Sequence, residues 1–454
     1  MGRILLKNIY YLHSSADAEG LRGHDLLMND NVVEKIAPEI DMGPSDDDRI
    51  IDCSRHVVVP GFVNTHHHFY QTLTRNIPAV QNAKLFDWLK YLYDVWKNLD
   101  EDAIYYSSML AMAELMKTGC TASTDHHYVF PHSTRDDLIG LQFKAAETMG
   151  MRFSPTRGSM SLSKKDGGLP PDTVVQTDEE ILADSERVIR EWHDDADYSM
   201  RKVVLAPCSP FSVTEELMSR TAELARKYGA RIHTHVAETF DENDFCKEVY
   251  GRRPLELMKD TGFVGEDVFY AHGIHFNDEE LDELARTKTN IAHCPSSNMR
   301  LGSGICRVTE MLPKGINVGI AVDGSASNDT SDMLGELRQA MLLQRVQYGA
   351  DALTARDVFR MASENGARML GFDQSGTLEE GKAADAAIFD VHKLEYAGAQ
   401  SDPLAALVFS GYNHGTDYTI VNGRVTVEHG RVTGFNEEEL TEKANEIAAR
   451  MLEG

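Results

Sequence analysis

Residues 60–71 read PGFVNTHHHFYQ, with His66, His67 and His68 in a row behind an apolar run. Successive side chains of a strand point to opposite faces. If this run is a strand, His66 and His68 leave its end on one side and His67 on the other. Two imidazoles two residues apart on one face can hold one metal ion. A solvated histidine cluster has the same local sequence, so the rest of the chain decides between the two.

Seven further short apolar runs follow VVVPGFVNTH: TASTD (121–125), RFSPTRG (152–158), KVVLAPCS (202–209), RIHTHVAE (231–238), VFYAHG (268–273), TNIAHCP (289–295) and NVGIAVDG (317–324). Longer amphipathic stretches such as EDAIYYSSMLAMAELMKTG and EELMSRTAELARKYG separate them, with Gly119 and Gly229 where a helix C-cap falls. Eight strands of the doubly buried type alternating with helices predict an α/β fold, a TIM-type (β/α)8 barrel, over residues 59–375. The chain ends differ. In YTIVNGRVTVEHGRVTG, NG and HG stand between β-branched runs as hairpin turns do. Residues 1–58 and 376–454 are expected to pair into one small β-sandwich domain. A C-terminal helix with Leu440, Ala444, Ile447 and Met451 at helical spacing is grouped with it.

The 454 residues carry a formal net charge of −27. That charge argues against nucleic acid and against an anionic membrane surface as partners. The six cysteines show no CxxC spacing, which excludes a disulfide framework and a thiolate zinc site. The N-terminal stretch lacks a long apolar segment, and no run approaches a membrane span. A cytoplasmic protein with a small-molecule partner is expected.

Four of the eight runs end in reactive side chains. The first ends in His66 and His68, the fifth in His235 and Glu238, the sixth in His272 and the eighth in Asp323. In a barrel those ends meet on one face. His66, His68, His235 and Asp323 together offer three nitrogens and one oxygen, a donor set for Zn²⁺ or Fe²⁺ with room for water. Singly, each has an ordinary reading: His272 as a hydrogen-bonded core histidine, Asp323 as a turn aspartate. His233 is placed deeper in its strand and outside the site. His293 is a candidate pocket residue, and His126 and His127 are candidates for the site mouth. The four run ends in this order separate the chemical reading from chance.

On these motifs the chain resembles the amidohydrolase superfamily, in the branch that hydrolyses amino and chloro substituents on purines, pterins and triazines. PGFVNTHHH, HTHVAET, AHGIH and VDGSASND are similar to its strand-end motifs. The stretches HHHFYQTLTR, LFDWLK, RGSMSLSKKDGGLPPD and APCSPFSV are most similar to the 8-oxoguanine deaminase subgroup. The resemblance implies a metal-dependent hydrolytic deaminase of an oxidised purine, converting 8-oxoguanine to urate plus ammonia. Isoxanthopterin, guanine and hydroxytriazines are the alternative rings, and a catalytically silent barrel is the alternative of another class. It implies His66, His68, His235 and Asp323 as ligands and Glu238 as proton shuttle. Binuclear relatives carry a carboxylated lysine at the end of strand four. Here that end offers Cys208, so one divalent metal per chain is expected, zinc or iron. A homodimer or higher homo-oligomer is also expected.

Exchanging a ring amino group for oxygen at neutral pH calls for hydroxide, which a divalent metal supplies by lowering the pKa of water to about 7. Asp323 can take the proton of that water. Glu238 can protonate the neighbouring ring nitrogen, and His272 can hold the nucleophile. Gln71, three residues past the HxH, has donors and an acceptor suited to a purine edge. Arg157 offers a fork of donors. Tyr128, Cys208 and Trp88 complete the expected substrate contacts. The ordinary readings beside these are a loop amide, a structural ion pair, barrel packing and helix core.

Overall fold

The computed structural model describes residues 2–43, 47–135, 137–411 and 414–453. Its centre is an eight-stranded parallel sheet in sequential order: β1 (Phe62–Asn64), β2 (Cys120–Asp125), β3 (Arg152–Ser159), β4 (Val204–Pro207), β5 (Arg231–Val236), β6 (Val268–His272), β7 (Asn290–His293) and β8 (Val318–Ile320). All eight predicted runs supply a barrel strand. Closure between β8 and β1 falls just beyond Asn64. Thr65 N and Oγ1 both donate to the Ile320 carbonyl, at 3.1 and 2.9 Å, and Asp323 N donates to the His66 carbonyl at 3.1 Å. The seam of the barrel therefore sets Asp323 beside His66.

The first run differs from its reading in one respect: it is two strands. His56–Pro60 pairs antiparallel with Ala386–Asp390 outside the barrel, and only Phe62–Asn64 enters it. The break is at Pro60-Gly61. Gly61 passes so close to β2 that a Cβ there would lie 2.1 Å from Thr121 Oγ1, so the crossing from one sheet to the other needs glycine.

The two chain ends do build a sandwich. One sheet runs Val32–Ala37, His24–Asn29, Ile4–Ile9, Arg49–Asp52. The other runs Arg431–Val432, Arg424–Glu428, Tyr418–Val421, Ala386–Asp390, His56–Pro60, Tyr11–Leu12. Leu6, Leu26, Met28, Val58, Ile388 and Ile420 fill the space between them, all essentially inaccessible. The NG and HG turns have the expected two-residue form, with positive φ at Asn422, Gly423, His429 and Gly430.

The C-terminal helix, Glu437–Glu453, leaves this sandwich. It lies on the barrel helices Leu85–Trp96 and Glu101–Lys117, where Asn98 Nδ2 donates to the Met451 carbonyl at 3.1 Å and Arg450 pairs with Asp100 at 2.5 Å. Its buried Ala444, Ile447 and Met451 share one apolar cluster with Leu85, Trp88, Leu92 and Trp96. Among the described residues, no helix is long and apolar enough to cross a membrane.

Candidate metal centre and active site

Past the C-terminal ends of the strands, His66, His68, His235 and Asp323 converge. His66 Nε2 lies 3.3 Å and His68 Nε2 3.4 Å from Asp323 Oδ1, and His235 Nε2 lies 3.3 Å from His68 Nε2. His67 points away, into Ser331 and Phe69.

The protons on these rings follow from their other nitrogens. A carbonyl oxygen can only accept, so His68 Nδ1 must donate to the His126 carbonyl (2.8 Å) and His235 Nδ1 to the Cys208 carbonyl (2.6 Å). His233 Nδ1 donates to the Phe269 carbonyl (2.8 Å), which makes His233 Nε2 an acceptor. It takes its hydrogen from His66 Nδ1, 2.7 Å away. Every inward Nε2 is thereby a bare lone pair. Burial holds His66, His68 and His235 below the ordinary imidazole range, so the rings stay neutral.

Three lone pairs and a carboxylate facing one another without a proton repel, unless a cation stands among them. The spacing fits one. Corners about 2.0–2.1 Å from a centre, the range of Zn–N and Zn–O bonds, give a tetrahedron with edges of about 3.3–3.4 Å. His66 Nε2 is also fully buried with no hydrogen-bond partner. The donor set fits a divalent metal.

Glu238 and His272 flank this cluster. His272 Nε2 lies 3.6 Å from Glu238 Oε2 and 3.9 Å from Asp323 Oδ2, while its Nδ1 donates to Asn298 Oδ1 at 2.9 Å. Burial alone would push His272 down, but the Glu238 and Asp323 carboxylates together raise it above the usual imidazole value. Burial lifts Glu238 above the ordinary carboxyl range, and its Oε1 accepts a hydrogen bond from Ser303 Oγ at 3.4 Å. Ala237, His272 and Asp323 all have left-handed backbone, with φ of 56°, 72° and 63°. Non-glycine residues hold that conformation at a cost of about 1–3 kcal/mol, and it gathers at functional sites.

A pocket opens above the cluster. Its walls include His68, His235, Glu238, His272, Asp323, Gln71, Trp88, Tyr93, Tyr128 and Cys208. Gln71 Oε1 and Trp88 Nε1 are buried there without a hydrogen-bond partner. The Gln71 amide is seated over Gly324, where a Cβ would lie 1.9 Å from Oε1.

Arg157 is the departure. It lies outside the pocket wall, with Nε on Asp184 (2.6 Å), Nη1 on the Gly158 carbonyl and Nη2 on Gln176, its guanidinium 3.9 Å from the Phe130 ring centre. Its side chain leaves β3 on the helix side, and its donors are committed to structure. His126 stacks on His235 with centroids 4.7 Å apart, and His127 packs against Tyr70 and Phe130; neither lines the pocket mouth. His293 is buried away from the pocket wall. Two supporting residues lie outside the expected site: His233, which is placed deeper in its strand, and Asn298. His233 had a signal: it stands two residues before His235, on the same face of the strand.

The profile of the amidohydrolase family matches residues 57–426. The chain belongs to the amidohydrolase family. It is 47% identical over 403 residues to the 8-oxoguanine deaminase of Pseudomonas aeruginosa, covering 89% of each chain. It is 34% identical to the hydroxydechloroatrazine ethylaminohydrolase of Pseudomonas sp. (strain ADP), covering 96% of this chain and 92% of that one. Among solved structures, the zinc complex of atrazine chlorohydrolase from Arthrobacter aurescens TC1 superimposes with a TM-score of 0.93 at 28% identity, covering 98% of this chain and 100% of that one. This amidohydrolase is a hydrolase acting on C–N bonds.

Proposed function

We propose that this amidohydrolase deaminates an oxidised purine, 8-oxoguanine to urate plus ammonia, with one divalent metal held by His66, His68, His235 and Asp323. The observation that carries the chemistry is the set of three fixed lone pairs and one carboxylate beside a protonatable Glu238 and His272. The likeness to the 8-oxoguanine deaminase, 47% over 89% of the chain, supports the ring.

The metal's contribution is to bring the pKa of water down to about 7. The chain's residues do the rest. Asp323 accepts a proton from the attacking water. Glu238, whose carboxyl burial lifts above the ordinary range, passes a proton to the ring nitrogen beside the carbon under attack. His272 Nε2, facing the Glu238 and Asp323 carboxyl groups, holds the attacking oxygen in place. The proton taken by Asp323 returns to the amino group, which leaves as ammonia, and the proton left on the new hydroxyl passes back to Glu238 as the carbonyl forms. Gln71 and Trp88 bring an unused acceptor and an unused donor to the ring edge, and Tyr128 and Cys208 line the wall beside it.

The test is ammonia release by purified protein of measured metal content, with 8-oxoguanine, guanine, isoxanthopterin and hydroxyatrazine. Turnover of 8-oxoguanine well above the other three, with one metal per chain, is the expected result. Preference for another ring overturns the substrate. Protein that takes up no metal overturns the centre.

A further inference from the structure

We infer that Glu242 is a positioning residue for Glu238, an inference that rests on Glu238 being the proton carrier. Glu242 is in the first turn of the helix Phe240–Tyr250 and is 1% exposed. It faces no cation. Its Oε1 accepts the Ala237 N–H at 2.8 Å and its Oε2 the Glu238 N–H at 3.1 Å, so one carboxylate holds two successive amides.

Those amides belong to the turn that carries Glu238 off the end of β5. Ala237 sits there in left-handed backbone, which a residue with a Cβ adopts only under constraint. The Ala237 carbonyl is held from the other side by the Ile274 and His275 amides, both at 2.9 Å. Backbone thus pins the carbonyl, and among the described residues the Glu242 side chain pins the amides. The turn between these grips fixes where Glu238 stands against His272. Buried acids are seldom kept without a cation unless hydrogen bonds satisfy both oxygens, and here the two partners are the amides of the strained turn.

A glutamine at 242 keeps the size but offers one oxygen and one NH2. One of the two amides then meets a donor, and the turn must shift. A displacement of about 1 Å at a proton-transfer group can cost on the order of 100-fold in rate.

The experiment compares Glu242→Gln and Glu238→Gln with the wild-type metalloprotein, reading kcat and KM by ammonia release from the ring that the wild type turns over. Metal content and exchange of the 237 and 238 amides are measured beside them. The expected result for Glu242→Gln is a kcat about 10- to 100-fold down, KM within about threefold, metal retained, and faster exchange of those two amides. Wild-type kcat in Glu242→Gln, with Glu238→Gln slow, overturns the inference and leaves the proton carrier standing. Wild-type kcat in Glu238→Gln overturns both. Should Glu242→Gln not fold, Glu242→Asp, one methylene short of the amides, carries the same expectation.

Discussion

His66 Nδ1 and His233 Nε2 stand 2.7 Å apart, and the hydrogen between them belongs to His66, because His233 Nδ1 already donates to Phe269. His233 is not itself one of the proposed ligands. It decides which nitrogen of His66 is bare.

His233→Leu is therefore expected to weaken metal binding by about 10- to 100-fold, the usual effect of removing a partner that orients a ligand. Metal retained after dialysis against a graded chelator series checks this. Excess zinc is expected to restore most of the rate, since the pocket and Glu238 are untouched.

Trp88→Phe keeps an aromatic ring of smaller size and removes a buried donor that has no partner in the free protein. Removing an unsatisfied buried donor offsets part of the packing lost, so the fall in stability should stay within about 2 kcal/mol. If the substrate accepts that hydrogen bond, kcat/KM falls about 10-fold, worth roughly 1.4 kcal/mol. Melting temperature and kcat/KM measured on one preparation separate the two effects.

Arg157→Met should behave oppositely. The guanidinium is buried on Phe130 and bound to Asp184, Gly158 and Gln176, outside the pocket. Losing it should lower stability by about 3 kcal/mol, as for a broken buried pair, and leave KM for the ring within about twofold. A large rise in KM without loss of stability would return Arg157 to the substrate.

His13 gives a pH prediction. It is 1% exposed, with neither ring nitrogen partnered, and burial pushes it down from 6.5 to about 4. The folded state thus resists a proton that the unfolded chain accepts. Above pH 6.5 this costs nothing, and stability falls as pH drops from 6.5 toward 4. At pH 5 the penalty is about 2 kcal/mol, at 1.36 kcal/mol per pKa unit. His13→Leu should remove that slope, so that denaturation midpoints of the two proteins differ more at pH 5 than at pH 8.

The barrel and the candidate ligands were legible because each strand is a short apolar run, four of the runs end in reactive side chains, and strand ends must meet on one face. What the sequence hid follows from the same burial. Strand β3 is buried along its whole length, RFSPTRGS, so no alternation of apolar and polar residues shows which face Arg157 takes. The split at Pro60-Gly61 was hidden inside one continuous apolar stretch. His233 reads from the sequence as deeper in its strand, although HTH repeats the HxH spacing of the first motif. The apolar stripe of the C-terminal helix shows that it packs, but not against which partner, and its seat on the barrel rests on Asn98 and Asp100 far away in sequence.

The pocket's makeup has one more consequence. His68, His235, Glu238, His272 and Asp323 come from the strand ends, whereas Leu85, Trp88, Leu89 and Tyr93 come from one helix laid across the opening. The reacting groups and much of the apolar wall are thus written on separate pieces of chain, with Gln71, Tyr128 and Cys208 completing the wall from elsewhere. A lineage could redraw the helix for a new ring while the reacting groups stayed in register, and an engineer could start the same change by grafting residues 85–96.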